Sequence, residues 1–189
     1  MYATAFEHGL SFDAFVNEAQ ANRDLWRAMT RRARVPEGAR ARIAAAPGRW
    51  RLLALAEDWC GDALNILPVV ARLAEGAGNL ELRVVRRDEH PALMARHLTR
   101  GSRSIPVLIL LDGSSEPRGW WGPRPGELQA WFEAEGRPLP KSDRYRELRR
   151  WYARDRGAAI AHEIADLVLC GAAGGDYRGT RPCPEAAAA

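Results

Sequence analysis

Residues 52–68 read LLALAEDWCGDALNILP, and the fold turns on how that stretch divides. Leu52 to Ala56 complete an apolar run that starts at Trp50, too short for an ordinary helix and suited to a strand buried on both faces. Glu57, Asp58 and Trp59 break the run. Cys60 then opens a segment, 62–76, with apolar residues at helical spacing and Gly76 as its stop. A cysteine at a helix N-terminus meets free backbone N–H groups and the positive end of the helix dipole. Both favour the thiolate, its nucleophilic form.

The same alternation continues outward. LELRVV (80–85) is expected as a second strand and HPALMARHL as a helix. IPVLILLDG is a third strand ending in a turn at Asp112-Gly113. PRGWWG is a short fourth strand and RPGELQAWFEAEG a closing helix, so the middle of the chain reads β-α-β-α-β-β-α. Upstream, residues 11–32 place Phe12, Phe15, Val16, Ala19, Trp26 and Met29 on one stripe of a single amphipathic helix, with Ser11 as its N-cap. A second helix follows Pro36 and ends at Pro47-Gly48. After Pro140 comes a basic helix with Tyr145, Leu148 and Tyr152 on one face, then AAIAHEIADLVL as another helix. The Gly-, Pro- and Ala-rich end is read as irregular. The expected fold class is α/β, a mixed sheet flanked by helices with extra N- and C-terminal helices. Its expected divisions are an N-terminal helical extension (1–48), a core (49–136), a C-terminal helical extension (137–170) and a flexible tail (171–189).

Trp59-Cys60-Gly61 between strand and helix, Pro68 inside that helix, Ile105-Pro106 opening the third strand and Gly122 ending the fourth together resemble the thioredoxin superfamily over roughly residues 49–136. The motif W-C-G-D-A is similar to that of a branch of bacterial thioredoxin-like proteins. The resemblance implies that Pro106 is a cis-proline packed beside Cys60. It also implies that the backbone of Ile105 pairs with a substrate chain and that Trp59 walls the sulfur. Two departures stand out. The second cysteine of the dithiol motif is replaced by Ala63, and the buried acid of the strand before it by Ala54. The internal two-cysteine cycle is therefore absent, and the expected chemistry is a monothiol one, with Cys60 forming mixed disulfides. Asp62 stands where thioredoxins usually carry proline, and its charge opposes the helix dipole's effect on the thiol.

The candidate site is thus Cys60 as nucleophile, with Trp59, Gly61, Asp62, Ile105 and Pro106 presenting the substrate. Glu57, Asp58 and Asp62 are expected to be solvated loop and helix-start charges. Cys170 and Cys183 can resolve a mixed disulfide only if the C-terminal region folds back. No cofactor is implied beyond glutathione or another low-molecular-weight thiol, and the cysteines and histidines show no metal-ligand spacing. Partners would be protein or small-molecule thiols and disulfides. No apolar run approaches a membrane span and no secretion signal is evident, so a cytoplasmic location is expected.

Two other readings remain open. One is a redox-inactive thioredoxin-fold binding module. The other is nucleic-acid association through the arginine-rich helix 141–156, within a segment (137–156) that carries eight basic against three acidic residues. Interleaved Asp143, Glu147 and Asp155 dilute that field and favour a solvated helix face.

Overall fold

The computed structural model describes residues 1–180. A five-stranded mixed sheet forms the centre, in the order β2 (Leu80–Arg86), β1 (Trp50–Ala56), β3 (Val107–Leu111), β4 (Pro117–Trp121) and β5 (Tyr177–Gly179). β2 runs parallel to β1, β3 antiparallel to β1, β4 antiparallel to β3, and β5 parallel to β4. Every residue of β3 is buried, and so is β1 except for Arg51. Both strands are covered on two faces, which is why they read as continuous rather than alternating apolar runs.

α5 (Gly61–Ala77) makes the crossover between the two parallel strands and packs on β2. α9 (Ala158–Ala172) lies against β3 and β4, and α4 (Glu37–Ala45) packs on both α5 and α9. α1 (Tyr2–His8) and α2 (Phe12–Glu18) pack on β2, while α3 (Arg23–Arg32) packs on α5. The free edge of β2 is capped where Leu10 and Val84 exchange backbone hydrogen bonds of 2.8 Å, which leaves less of the edge open to another chain.

Several expectations need correction. The single helix over 11–32 is two helices, because the backbone N–H groups of Gln20 and Ala21 are turned onto the Asp58 carboxylate at 2.7 and 3.0 Å. Asn22 takes a left-handed conformation at the break, while Ser11 does cap α2. α5 runs past Gly76 and stops at Gly78, whose φ of 76° suits a residue without Cβ. The chain after Ala172 is not wholly irregular, since Tyr177–Gly179 extends the sheet; residues 181–189, with Cys183, lie outside the described residues. The short α6 (Pro91–Met94) and α7 (Gly126–Trp131) complete the core, and α7 continues into a π-helical turn at Phe132–Gly136.

α8 (Lys141–Asp155) buries Leu148, Trp151 and Tyr152. Tyr145, expected on that face, is 42% exposed, and Trp151 takes its place. Two of its five arginines are paired within the helix, Arg146 with Asp143 and Arg150 with Glu147. No helix among the described residues is long and apolar enough to cross a membrane.

Candidate active site at Cys60

The strands converge on Cys60 at one end of the sheet. β1 ends at Ala56, and after buried Glu57 and Asp58 and exposed Trp59, Cys60 forms the N-cap of α5. β3 is antiparallel to β1, so Ile105-Pro106 at its start comes to the same end, and so does the end of β4. The Ile105–Pro106 and Gly122–Pro123 peptide bonds are both cis. Gly122 has φ 130°, and a Cβ there would lie 2.3 Å from the carbonyl oxygen of Pro106. Only glycine lets β4 approach the proline that closely.

The sulfur of Cys60 accepts from the Ala63 N–H at 3.5 Å, and its thiol reaches the Ile105 carbonyl at the same distance. Gly61 faces open space. Trp59 is 53% exposed, with the Arg87 guanidinium 5.1 Å above its ring. Cys60 itself is only 7% exposed. The structure thus gathers Cys60, Gly61, Asp62, Ile105 and Pro106, with Trp59 standing out at the rim.

The acids beside the thiol are not solvated charges. Asp58 is buried and takes the two N–H groups that break the N-terminal helix, while its carbonyl accepts from Trp26 Nε1 at 2.9 Å. Glu57 is buried too and accepts from the Asp88 N–H at 3.0 Å. Asp62 pairs with Arg124 at 2.6 Å and accepts from the Tyr152 hydroxyl at 2.9 Å. All three have become structural ties, since a buried carboxylate without donors would cost several kcal/mol.

Arg124 and Tyr152 are the site residues that sequence reasoning missed. Arg124 follows cis-Pro123 and lies 4.0 Å over the Phe132 ring, with Nη1 donating to Gln129 Oε1 at 3.1 Å. Gln129 in turn donates to Glu133 at 2.7 Å, and Glu133 pairs with Arg100 at 2.5 Å. The available signal was Asp62 itself: a carboxylate in a helix's first turn beside a thiol calls for a nearby cation and donor. For Tyr152 the helical spacing signals only a packing residue.

The electrostatic balance at the sulfur is resolved against the thiolate. Burial, and then the Asp62 charge, push the Cys60 thiol up to about 11, against the opposing N–H groups of Ala63 and Asp62 and the Arg124 charge. The same two causes hold the Tyr152 phenol well above its ordinary value.

Cys60 is the free cysteine among the described residues. Cys170 is buried in α9, where the next residue, Gly171, packs against Leu110 and Trp50. Trp50 opens β1, so Cys170 sits at the end of the sheet away from Cys60. The C-terminal region does fold back, but onto the wrong end for Cys170 to resolve a disulfide at Cys60. Of the adjacent tryptophans, Trp121 is fully buried and donates to Glu163 at 2.6 Å. Trp120 faces the other side of the sheet, where it lines a cleft of about 520 Å³ with Tyr2, Arg96 and His97. That cleft contains none of the residues around the thiol. No cluster of three potential metal ligands occurs among the described residues.

A model of the thioredoxin family matches residues 9–137, about two thirds of the chain. The chain belongs to the thioredoxin family. This thioredoxin-family protein is similar in fold to a protein of unknown function from Pseudomonas aeruginosa, at 22% identity and a TM-score of 0.66, over 88% of this chain and 94% of that one. It is also similar to an HIV epitope scaffold, at 21% identity and a TM-score of 0.65 over the same shares. Likeness at this identity speaks to the fold alone. No curated protein matches the chain.

Proposed function

We propose that this thioredoxin-family protein is a thiol–disulfide protein of monothiol type, with Cys60 forming a mixed disulfide with a small thiol or a protein partner. The observation that carries the reading is the position of the sulfur. It lies at the N-terminus of α5, within 3.5 Å of both the Ala63 N–H and the Ile105 carbonyl, beside cis-Pro106. In the exchange, the Cys60 thiolate attacks one sulfur of a partner disulfide. The new S–S bond forms as the old one breaks, and the other sulfur leaves as a thiolate that takes up a proton. Ala63 offers no second thiol, so release requires an external thiol to attack the mixed disulfide. With the thiol at about 11, only roughly one molecule in ten thousand is ionised at neutral pH, and exchange there is slow.

Intact mass after exposure to glutathione disulfide tests the reading. The expected result is one glutathione adduct that disappears in Cys60→Ala and forms faster as pH rises. No Cys60-dependent adduct at any pH would sink it. The same burial favours a second reading, a binding module that keeps the groove beside Pro106 without turnover. Under that reading, Cys60→Ser retains a captured partner undiminished.

A further inference from the structure

We propose that α8 is a hinged cover of the Cys60 site, latched by the Tyr152 hydroxyl on Asp62, and that a partner reaches the Ile105–Pro106 edge by displacing it. The proposal rests on the reading above in one respect, that Cys60 is the group the partner engages.

α8 lies beyond the stretch matched by the thioredoxin model, yet it supplies a side chain to the site. It is held by one apolar face, Leu148, Trp151 and Tyr152, and by few polar ties to the core. These are the Tyr152 bond to Asp62 at 2.9 Å, a Trp151 Nε1 bond to Glu127 at 3.2 Å and a long Arg154–Glu127 contact at 3.8 Å. The opposite face is charged and paired within the helix, so it gains nothing from the closed position.

The ends of α8 differ. At its N-terminal end Pro138 and Pro140 punctuate a short linker. At its C-terminal end Arg156 and Gly157 both take positive φ, 56° and 87°. Gly157 is pressed against α5, where a Cβ would come within 2.7 Å of Val69 Cγ2. That end is an anchor; the N-terminal end, where Arg144 lies 5.9 Å over the Phe132 ring and donates to the Arg137 carbonyl at 3.2 Å, is the one that swings.

Asp62 suits a latch that opens. When Tyr152 leaves, the carboxylate keeps Arg124 at 2.6 Å, so opening strands no buried charge. Arg124 leads through Gln129 and Glu133 to Arg100, in the loop that runs into Ile105. The groups left after opening are therefore already braced on the side a partner would occupy. Tyr152 and the thiol both adjoin Asp62, and the Cys60 charge is among those acting on the phenol.

The test is the rate at which Cys60 is alkylated, followed by mass with Cys60→Ala as blank, using iodoacetamide and a maleimide carrying a polyethylene glycol chain. Tyr152→Phe removes the latch, Leu148→Ala loosens the cover without touching Asp62, and Arg149→Ala, on the exposed face, is the control. Tyr152→Phe should label at least roughly tenfold faster, the factor for one lost bond to a charged group, and Leu148→Ala faster as well through lost apolar packing, each with a larger gain for the bulky reagent. The pH of the inflection should not move, and hydrogen exchange should rise over 141–155 but not over 50–56. The proposal is overturned if labelling stays at the wild-type rate. It is equally overturned if only Tyr152→Phe speeds labelling and does so by shifting the inflection, which is an electrostatic effect. If both variants label faster yet none takes up glutathione, the cover stands and the monothiol reading falls.

Discussion

Asp62 sets the chemical character of the thiol beside it. Its carboxylate, fixed by Arg124 and Tyr152, cannot turn away into solvent, so its charge adds to burial in keeping Cys60 protonated. Asp62→Asn removes that charge and leaves the Arg124 cation near the sulfur. Both changes favour the thiolate. The wild-type rate of iodoacetamide labelling should climb with pH toward an inflection near 11. The variant should inflect lower and react faster at pH 8; a variant that inflects at the wild-type pH would show that the carboxylate charge does not reach the thiol. Most residues of the site are readable from sequence because strand, helix and the two prolines mark them locally. Arg124 and Tyr152 are not, because their partner lies 62 and 90 positions away.

At the scale of elements, the break between α2 and α3 shows a tertiary contact overriding periodicity. The apolar stripe of 11–32 supports one helix, but two of its N–H groups satisfy a buried carboxylate from the end of β1 instead. Asp58→Ala deletes the carboxylate oxygen, Oδ2, that accepts both bonds and leaves two backbone donors to find water. The expected cost is about 2–4 kcal/mol, each lost bond to a charged group being worth roughly 1.5–3 kcal/mol in the native fold before partial relaxation. Denaturant midpoints measure the loss, and hydrogen exchange should quicken first at 18–26. A variant as stable as the parent would mean that α2 and α3 rejoin as one helix without penalty. α8 illustrates the converse: its existence was legible from composition, but whether Tyr145 or Trp151 turned inward was not.

For the whole molecule, the segment read as a core is not a self-sufficient one. Trp26 and Ile43 from the N-terminal helices and Ile164, Leu167 and Val168 from α9 are fully buried in the same cluster as β1 and β3. Glu163 of α9 accepts from Trp121 and from the Gly126 N–H, tying the sheet to α7. Burying five such side chains is worth on the order of 10 kcal/mol, comparable to the whole stability of a domain. A chain limited to residues 49–136 should therefore lack cooperative unfolding and near-UV dichroism, while residues 1–180 show both. A cooperative transition in the short chain would return the flanking helices to the status of decoration.

The sequence by itself determined the thioredoxin-like frame, the place of Cys60 at a strand-to-helix corner, and the loss of a second thiol at Ala63. Each of these is written in short-range pattern: an apolar run, a change of period, a motif with its prolines. Only the tertiary structure decided what those residues can do. It buried Glu57 and Asp58, which looked solvated, paired Asp62 with Arg124 and Tyr152, and placed Cys170 at the far end of the sheet. Ionisation and access depend on which distant groups share a low-dielectric neighbourhood. That is a property of packing, which no local pattern in the chain records.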